Sequence, residues 1–244
     1  MFSTRGIVLD HVKYSETSII VHIYTSEFGR QSYMINGVRR SKSRGKTVFL
    51  QPLTLLQLEV THNDKKEIHR VVDYRVLHPF FTIPFDQVKR SIVFFITEVL
   101  SKVLREEQPN KELFEFVFHA VKLLDEDIAG LSNFHLFFLF QLSRFLGFGV
   151  PATPPEGIKY FDLKNSEYKN AAPSHSYFVN GDTLHSLMKL SDIDVSELGE
   201  LDLNSVKRKE LLDTLVLYYE LHILDFKSLK SLKVLHSLFE VSQN

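Results

Sequence analysis

The densest chemistry in the sequence is Arg39-Arg40-Ser41-Lys42-Ser43-Arg44-Gly45-Lys46, five cations in eight residues with no acid among them. Cations on a short glycine-bearing stretch suit the tracking of phosphates, because each phosphate neutralised releases condensed counterions and so supplies binding free energy. The plain alternative is a solvated basic turn. Arg30 and Lys13 would extend the same patch. Tyr14, Tyr24, Phe28 and Tyr33 are candidate stacking partners for bases, with filling of a barrel interior as the alternative role of each. Near the C-terminus Lys227, Lys230 and Lys233 recur every three residues, as on one helix face. With Lys207, Arg208 and Lys209 they form either a second basic surface or a solvated face.

Bond-making chemistry finds little footing. Asp125-Glu126-Asp127 reads as the end of a helix, where adjacent acids point apart and negative charge is electrostatically disfavoured. Gly45-Lys46-Thr47 imitates the end of a phosphate-binding loop, but Arg40 stands where the upstream glycine is required. No Gly-x-Ser-x-Gly or His-Glu-x-x-His string occurs. The chain has no cysteine, which excludes disulfides, thiol chemistry and cysteine-ligated zinc. His175 and His185, with Asp162 or Asp182, are the residual metal candidates, and neither metal nor cofactor is expected. The sequence reads as that of a binding protein and not an enzyme.

Elements must position these residues, and two kinds are visible. Residues 1–80 hold five short segments rich in β-branched and aromatic residues: Gly6–Leu9, Thr17–Tyr24, Arg30–Asn36, a run after Pro52, and Ile68–Leu77. Turn signals separate them at Ser26–Gly29, Gly45 and His62–Asp64. Five such strands in so short a span predict a small closed barrel of the OB type, since closure removes sticky edges. After His78-Pro79 the period changes. Val88, Ile92, Phe95, Ile96, Val99, Leu100, Val103 and Leu104 step by three and four, as in a helix that Gln108-Pro109-Asn110 ends. Further helices are predicted over about 111–124, 132–146, 180–190, 204–224 and 228–239, with a possible short hairpin in 158–178. The expected fold is α+β: a five-stranded OB-fold barrel over 1–80, followed by an all-helical domain over 81–244.

Composition agrees with a globular chain, at 44% apolar and 24% charged residues. Residues 1–80 carry 12 Lys+Arg against 7 Asp+Glu, and residues 81–244 carry 17 against 23, so the two parts suit different partners. The first residues lack the apolar stretch of a signal peptide. The greasiest segment, 134–150, is broken by His135, Gln141 and Arg144 and is shorter than the roughly 20 residues a membrane span needs. The expectation is a cytoplasmic protein with no membrane partner.

One set of segments is collinear with a known family. Gly6–Leu9, Tyr14–Ser18, Tyr24–Arg30, Gly37–Arg44, Leu50–Leu56, Glu98–Leu104, Leu146–Gly149 and Leu229–Leu235 resemble the RecO family in order and spacing across most of the chain. The resemblance implies an N-terminal OB domain, a helical domain, and binding to single- and double-stranded DNA with annealing of complementary strands. It implies work with RecR, in some members with RecF, to load RecA onto DNA coated by single-strand-binding protein (SSB), and hence a nucleoid-associated location. An SSB C-terminal tail, acidic and phenylalanine-terminated, would suit a basic rim beside an apolar groove. Many members place a four-cysteine zinc site within 158–190; this chain departs from them, and Tyr160, Phe161, Tyr177 and Phe178 are expected to hold the segment instead. The competing readings are a generic single-strand-binding OB protein, which leaves the helical part unexplained, and a protein-binding scaffold without DNA affinity.

Overall fold

The computed structural model describes residues 1–36, 50–63, 65–104 and 108–241. The chain divides into two compact units, Met1–Glu126 and Asp127–Asn244. Unit one begins with β1 (Phe2–Lys13), β2 (Ile19–Thr25), β3 (Gly29–Ile35), β4 (Leu55–Thr61) and β5 (Ile68–His78). Alternation sets their facing: Ile19, Val21 and Ile23 are buried, while Ile20 and His22 between them stay partly open. The strands follow one another as β1-β2-β3-β5-β4 in a closed barrel. β1 pairs antiparallel with β4, and β3 pairs parallel with β5. This is the OB arrangement expected from the sequence.

Val8, Ile23, Tyr33, Leu56, Leu58 and Val60 belong to the barrel core. Gly6 is required there, because a Cβ at that position would lie 2.6 Å from Ile23 Cγ2 and 2.7 Å from Leu58 Cδ1. Gln31 is buried with His69, whose Nε2 sits 2.9 Å from Gln31 Oε1, so the interior polar atoms meet each other.

Two helices complete unit one. α1 (Gln87–Val103) starts at Asp86 and α2 (Lys111–Asp125) at Asn110; each cap side chain accepts an N–H of the first turn, from Lys89 and Leu113 respectively. They are tied to the barrel. The Tyr24 hydroxyl donates to Asn110 O at 3.2 Å. Arg5 pairs with Glu115 and lies over the Phe114 and Phe118 rings. The strongest tie is at the other end of α2. Asp125 accepts the N–H groups of Phe81, Thr82 and Ile83 at 2.8, 2.9 and 2.9 Å. Lys89, also buried, donates through Nζ to Thr82 Oγ1 at 2.7 Å and to Glu126 O at 2.6 Å. Compactness therefore carries unit one past the last strand, through two helices.

Unit two holds α3 (Phe134–Phe145), β6 (Tyr160–Asp162), β7 (Glu167–Lys169), β8 (Phe178–Asn180), α4 (Gly181–Asp192), α5 (Ser205–His222) and α6 (Ser231–Val241). The helical region thus includes a three-stranded sheet, ordered β7-β6-β8, where the sequence hinted at a hairpin. Phe138, Leu139, Phe140, Leu211, Leu215 and Tyr219 are among its buried residues, and the Tyr219 hydroxyl donates to Leu139 O at 2.7 Å. Phe239 docks α6: its ring stacks on His135 with centroids 5.2 Å apart and lies under the Arg208 guanidinium at 5.3 Å. No helix among the described residues is long and apolar enough to cross a membrane.

His135 is fully buried, and burial, followed by the charges of Arg208 and His236, lowers its pKa from 6.5 to about 3. A depressed imidazole pKa means that the unfolded chain takes up the proton first. The His135 contribution is whole above pH 6.5 and declines as pH falls from 6.5 toward 3, by about 1.4 kcal/mol per pH unit. Denaturant titrations from pH 7 to pH 5 are expected to show that decline, and His135→Gln to flatten it. An equal slope in the variant would refute the assignment.

Candidate nucleic-acid interface

At one end of the barrel β1 turns into β2 through Tyr14–Ser18. The turn is fixed from within: the N–H groups of Tyr14 and Ser15 both donate to Ser18 O at 3.2 Å. The Ser18 N–H donates to Ser15 Oγ at 3.2 Å, and Ser18 Oγ donates to Asn36 Oδ1 at 3.0 Å. Asn36 follows the end of β3 and leads directly into the segment that carries Arg39, Arg40, Lys42, Arg44 and Lys46. Those five cations lie outside the described residues. Their point of departure is described, and it is hydrogen-bonded to the loop bearing exposed Lys13 and Tyr14.

Strand register arranges the outer face beside that loop. Val12, Ile20, Met34 and Arg70 lie in one row across β1, β2, β3 and β5, and Asp10, His22, Ser32 and Ile68 form the next. Val12, Ile68 and Arg70 are exposed. An apolar strip edged by Lys13 and Arg70 can lie under bases while the cations meet phosphates. His22 Nδ1 is 3.0 Å from Ser32 Oγ, and its Nε2 is 3.6 Å from Asp10 Oδ1. That last separation is too long for a hydrogen bond, so the acid–imidazole–hydroxyl order makes no charge relay.

The aromatic candidates separate sharply. Tyr14 is 58% exposed, whereas Tyr24 and Tyr33 are 2% and 0%. Tyr33 fills the barrel, and Tyr24 is covered by α2, its ring 5.7 Å from that of Phe114. Phe28 is half-buried, stacked on His62 at 4.2 Å and edge-on to Phe2 at 5.4 Å. Interior and helix-covered roles therefore displace stacking at Tyr24 and Tyr33. The parity of β3 shows Tyr33 to be inward, since Gln31 and Ile35 share its face; the cover over Tyr24 has no local signal.

Arg30 is engaged within unit one. Its Nη1 donates to Ser101 O at 2.9 Å and Leu104 O at 3.1 Å, the carbonyls that the C-terminal end of α1 leaves without intrahelical partners. The second basic surface is also partly committed. Lys207 Nζ lies 2.9 Å from Asp182 Oδ2. Arg208 donates through Nε to Asn133 Oδ1 at 3.0 Å and through Nη2 to Leu203 O at 2.6 Å. Lys227, Lys230 and Lys233 are exposed but do not share a helix face, because α6 begins only at Ser231. Ser228 has φ of 65°, a left-handed conformation that stops the helix from starting where the spacing placed it.

Two family models cover almost the whole chain: recombination protein O N terminal matches residues 1–80, and recombination protein O C terminal matches 84–233. The chain belongs to the RecO family. It is 37% identical over 238 residues to the DNA repair protein RecO of Phocaeicola vulgatus, covering 97% of this chain and 98% of the relative. It is 35% identical to that of Bacteroides fragilis over the same length and coverage. With that of Azobacteroides pseudotrichonymphae the identity is 32% over 240 residues, 98% of this chain and all of the relative.

The zinc site expected of many RecO proteins does not fit the residues of this one. The chain offers no thiol. Asp162 accepts from the N–H groups of Lys164 and Asn165 at 2.9 and 3.1 Å and from Asn165 Nδ2 at 2.9 Å, with His175 Nε2 at 3.4 Å. His185 is exposed on α4, where it adds a favourable charge near Asp182. Among the described residues no group of three or more His, Cys, Asp or Glu is placed to hold a metal ion. Of the aromatics expected to hold the segment, Phe161 is fully buried against Tyr168 and Tyr218, and Tyr160 meets Phe178 edge-on at 5.4 Å. Tyr177 is 41% exposed.

The geometry of Arg30 has a measurable consequence. Arg30→Ala is expected to lower the unfolding free energy by about 2 kcal/mol, the loss of charge-assisted hydrogen bonds to two carbonyls. Chemical denaturation of the full chain checks this; unchanged stability would mean that the side chain is available to phosphates instead.

Proposed function

We propose that this chain is a DNA repair protein that acts as a recombination mediator, binding DNA and partners without making or breaking bonds. The match of both halves of the chain to RecO models carries this reading. In it, residues 1–80 are the DNA-binding OB domain, and 81–244 form the helical domain that engages proteins. The mediator binds single and double strands, anneals complementary strands, and with RecR helps load RecA onto SSB-coated single-stranded DNA. RecF assists in some settings, and the SSB C-terminal tail is a ligand of the helical domain.

The physical support lies in the barrel. A closed OB barrel presents a rigid face with an apolar strip, Tyr14 at its edge and a stretch of five cations leaving from beside it. Phosphate contacts from that stretch position a strand without reading its sequence, as annealing of arbitrary complements requires. The helical half, which also matches its own family model, disfavours a generic single-strand-binding role that needs only the first 80 residues.

Replacing Arg39, Arg40, Lys42 and Arg44 with Ala in the full chain is expected to weaken DNA binding and leave the melting temperature nearly unchanged. Each phosphate contact on a single strand contributes about 0.7 to the slope of log affinity against log salt, so the slope is expected to fall by roughly 2 to 3. The loss is expected to be equal for oligonucleotides of different sequence, and annealing of SSB-coated complements is expected to slow in parallel. An unchanged slope in the folded variant would reject the cationic stretch as the DNA contact.

A further inference from the structure

Where the barrel meets α1, a pocket of about 430 Å³ opens between the β3–β4 connection, the end of β5, the linker after it and the first turns of the helix. Its size lies in the range of small-ligand sites, roughly 300–1,000 Å³. Phe80, Val93 and Phe94 are in its wall, with Gln51, Thr54 and His78 as hydrogen-bonding groups and Arg90 as a cation. Arg90 Nη1 donates to Pro84 O at 2.7 Å, which holds the guanidinium at the linker while the residue stays exposed. Phe94 is 58% exposed, and the linker phenylalanines Phe81 and Phe85 are 71% and 85% exposed. Phenylalanines left in water on the pocket wall and in the linker mark an interaction surface.

We propose that this pocket takes an unpaired nucleobase of a single strand, stacked on Phe94, with Arg90 on the adjoining phosphate. The inference rests on the DNA-binding reading and adds to it a base-receiving site distinct from the strand-tracking cations. Arg90 and Phe94 are one helical turn apart on α1, so a cation and an aromatic ring share one face. That pairing of phosphate contact and stacking surface is how single strands are held without sequence preference. Continuity points the same way. The pocket wall begins at Gln51, five residues after Lys46 in the sequence.

The chain has no tryptophan, so Phe94→Trp in the full protein places a single reporter in the pocket. Its fluorescence is expected to be quenched by oligo(dT) and unchanged by a duplex of the same length. Phe94→Ala is expected to weaken single-strand binding about ten- to a hundredfold and leave duplex binding within about twofold. Arg90→Ala is expected to reduce the single-strand salt slope by about 0.7. Both side chains are exposed, and equal melting temperatures would establish that the variants fold. If Phe94→Ala binds single strands as the wild type does, or loses single strand and duplex equally, the pocket is not a base site while the DNA-binding reading stands. Quenching by an acidic, phenylalanine-terminated peptide and not by oligo(dT) would make it a peptide site and overturn the proposal. A wild-type chain that binds no DNA would defeat both readings.

Discussion

Unit one depends on one buried carboxylate. The Asp125 side chain is 2% exposed, and a charge so placed is costly unless every lone pair is used. Both oxygens accept hydrogen bonds here: burial pushes the pKa up, but hydrogen bonds from the backbone of Ile83, Phe81 and Thr82 and from the Thr82 hydroxyl outweigh it and hold the group below the usual carboxylate range. The three N–H groups belong to the linker between the last strand and the first helix, so the end of α2 fixes the path by which the barrel passes into helices. His78 Nε2 approaches the same carboxylate at 3.4 Å, and the buried ammonium of Lys89 sits against the hydroxyl of Thr82 and the carbonyl of Glu126. Ile83 and His78 also line the pocket beside α1. Shape at that pocket is therefore set by a polar knot whose anchor lies some forty residues further along the chain.

The barrel solves a different problem. An open five-stranded sheet would leave two edges free to pair with other chains, and closure through β3 and β5 removes both. Closure also makes the outer face rigid, because each row of outward residues is pinned by register on several strands at once. A rigid face costs little ordering entropy when a ligand lies on it, and the ligand then bears most of that cost. The Ser18–Asn36 hydrogen bond extends this rigidity to the place where the cationic stretch leaves the barrel.

Much of this was legible in the sequence, for reasons that differ between elements. The strands were readable because alternation is enforced locally: Ile19, Val21 and Ile23 must all face one way. The helices were readable from their three-and-four spacing; in the structure Asp86, Asn110 and Asn204 cap three of them. Partnerships across long separations left no local trace. Arg30 looked like a free cation and ends on carbonyls of α1; Arg208 looked like part of a basic row and ends between Asn133, Leu203 and the ring of Phe239. Asp125-Glu126-Asp127 looked like a poorly placed acidic cluster, because the groups that justify Asp125 lie in the linker at 81–83. Phe80 and Phe94 were visible as letters, but their meeting in the wall of one pocket follows from the fold of residues 51–94.

Unit two shows how a segment can be fixed by hydrogen bonds and ring packing alone. Metal binding in a small site supplies folding free energy directly, so a chain without thiols must find it elsewhere. Asp162 supplies part, gathering the turn after β6 through the hydrogen bonds of Lys164 and Asn165. Burial would raise its pKa, yet the Asn165 side chain, the two backbone donors and the His175 charge keep it lowered. α5 supplies the rest. The Tyr218 hydroxyl bridges Phe148 O and Ser166 Oγ, and His222 Nε2 lies 2.8 Å from Leu163 O while its ring stacks on Phe148 at 4.9 Å. The carboxylate thus fixes the turn after β6, while the phenol and the imidazole of α5 hold that turn and Phe148 through hydrogen bonds each worth about 0.5–1.5 kcal/mol. Such an arrangement is indifferent to chelators and to thiol oxidation, and it shifts the sensitivity of this segment from metal supply to the protonation of Asp162.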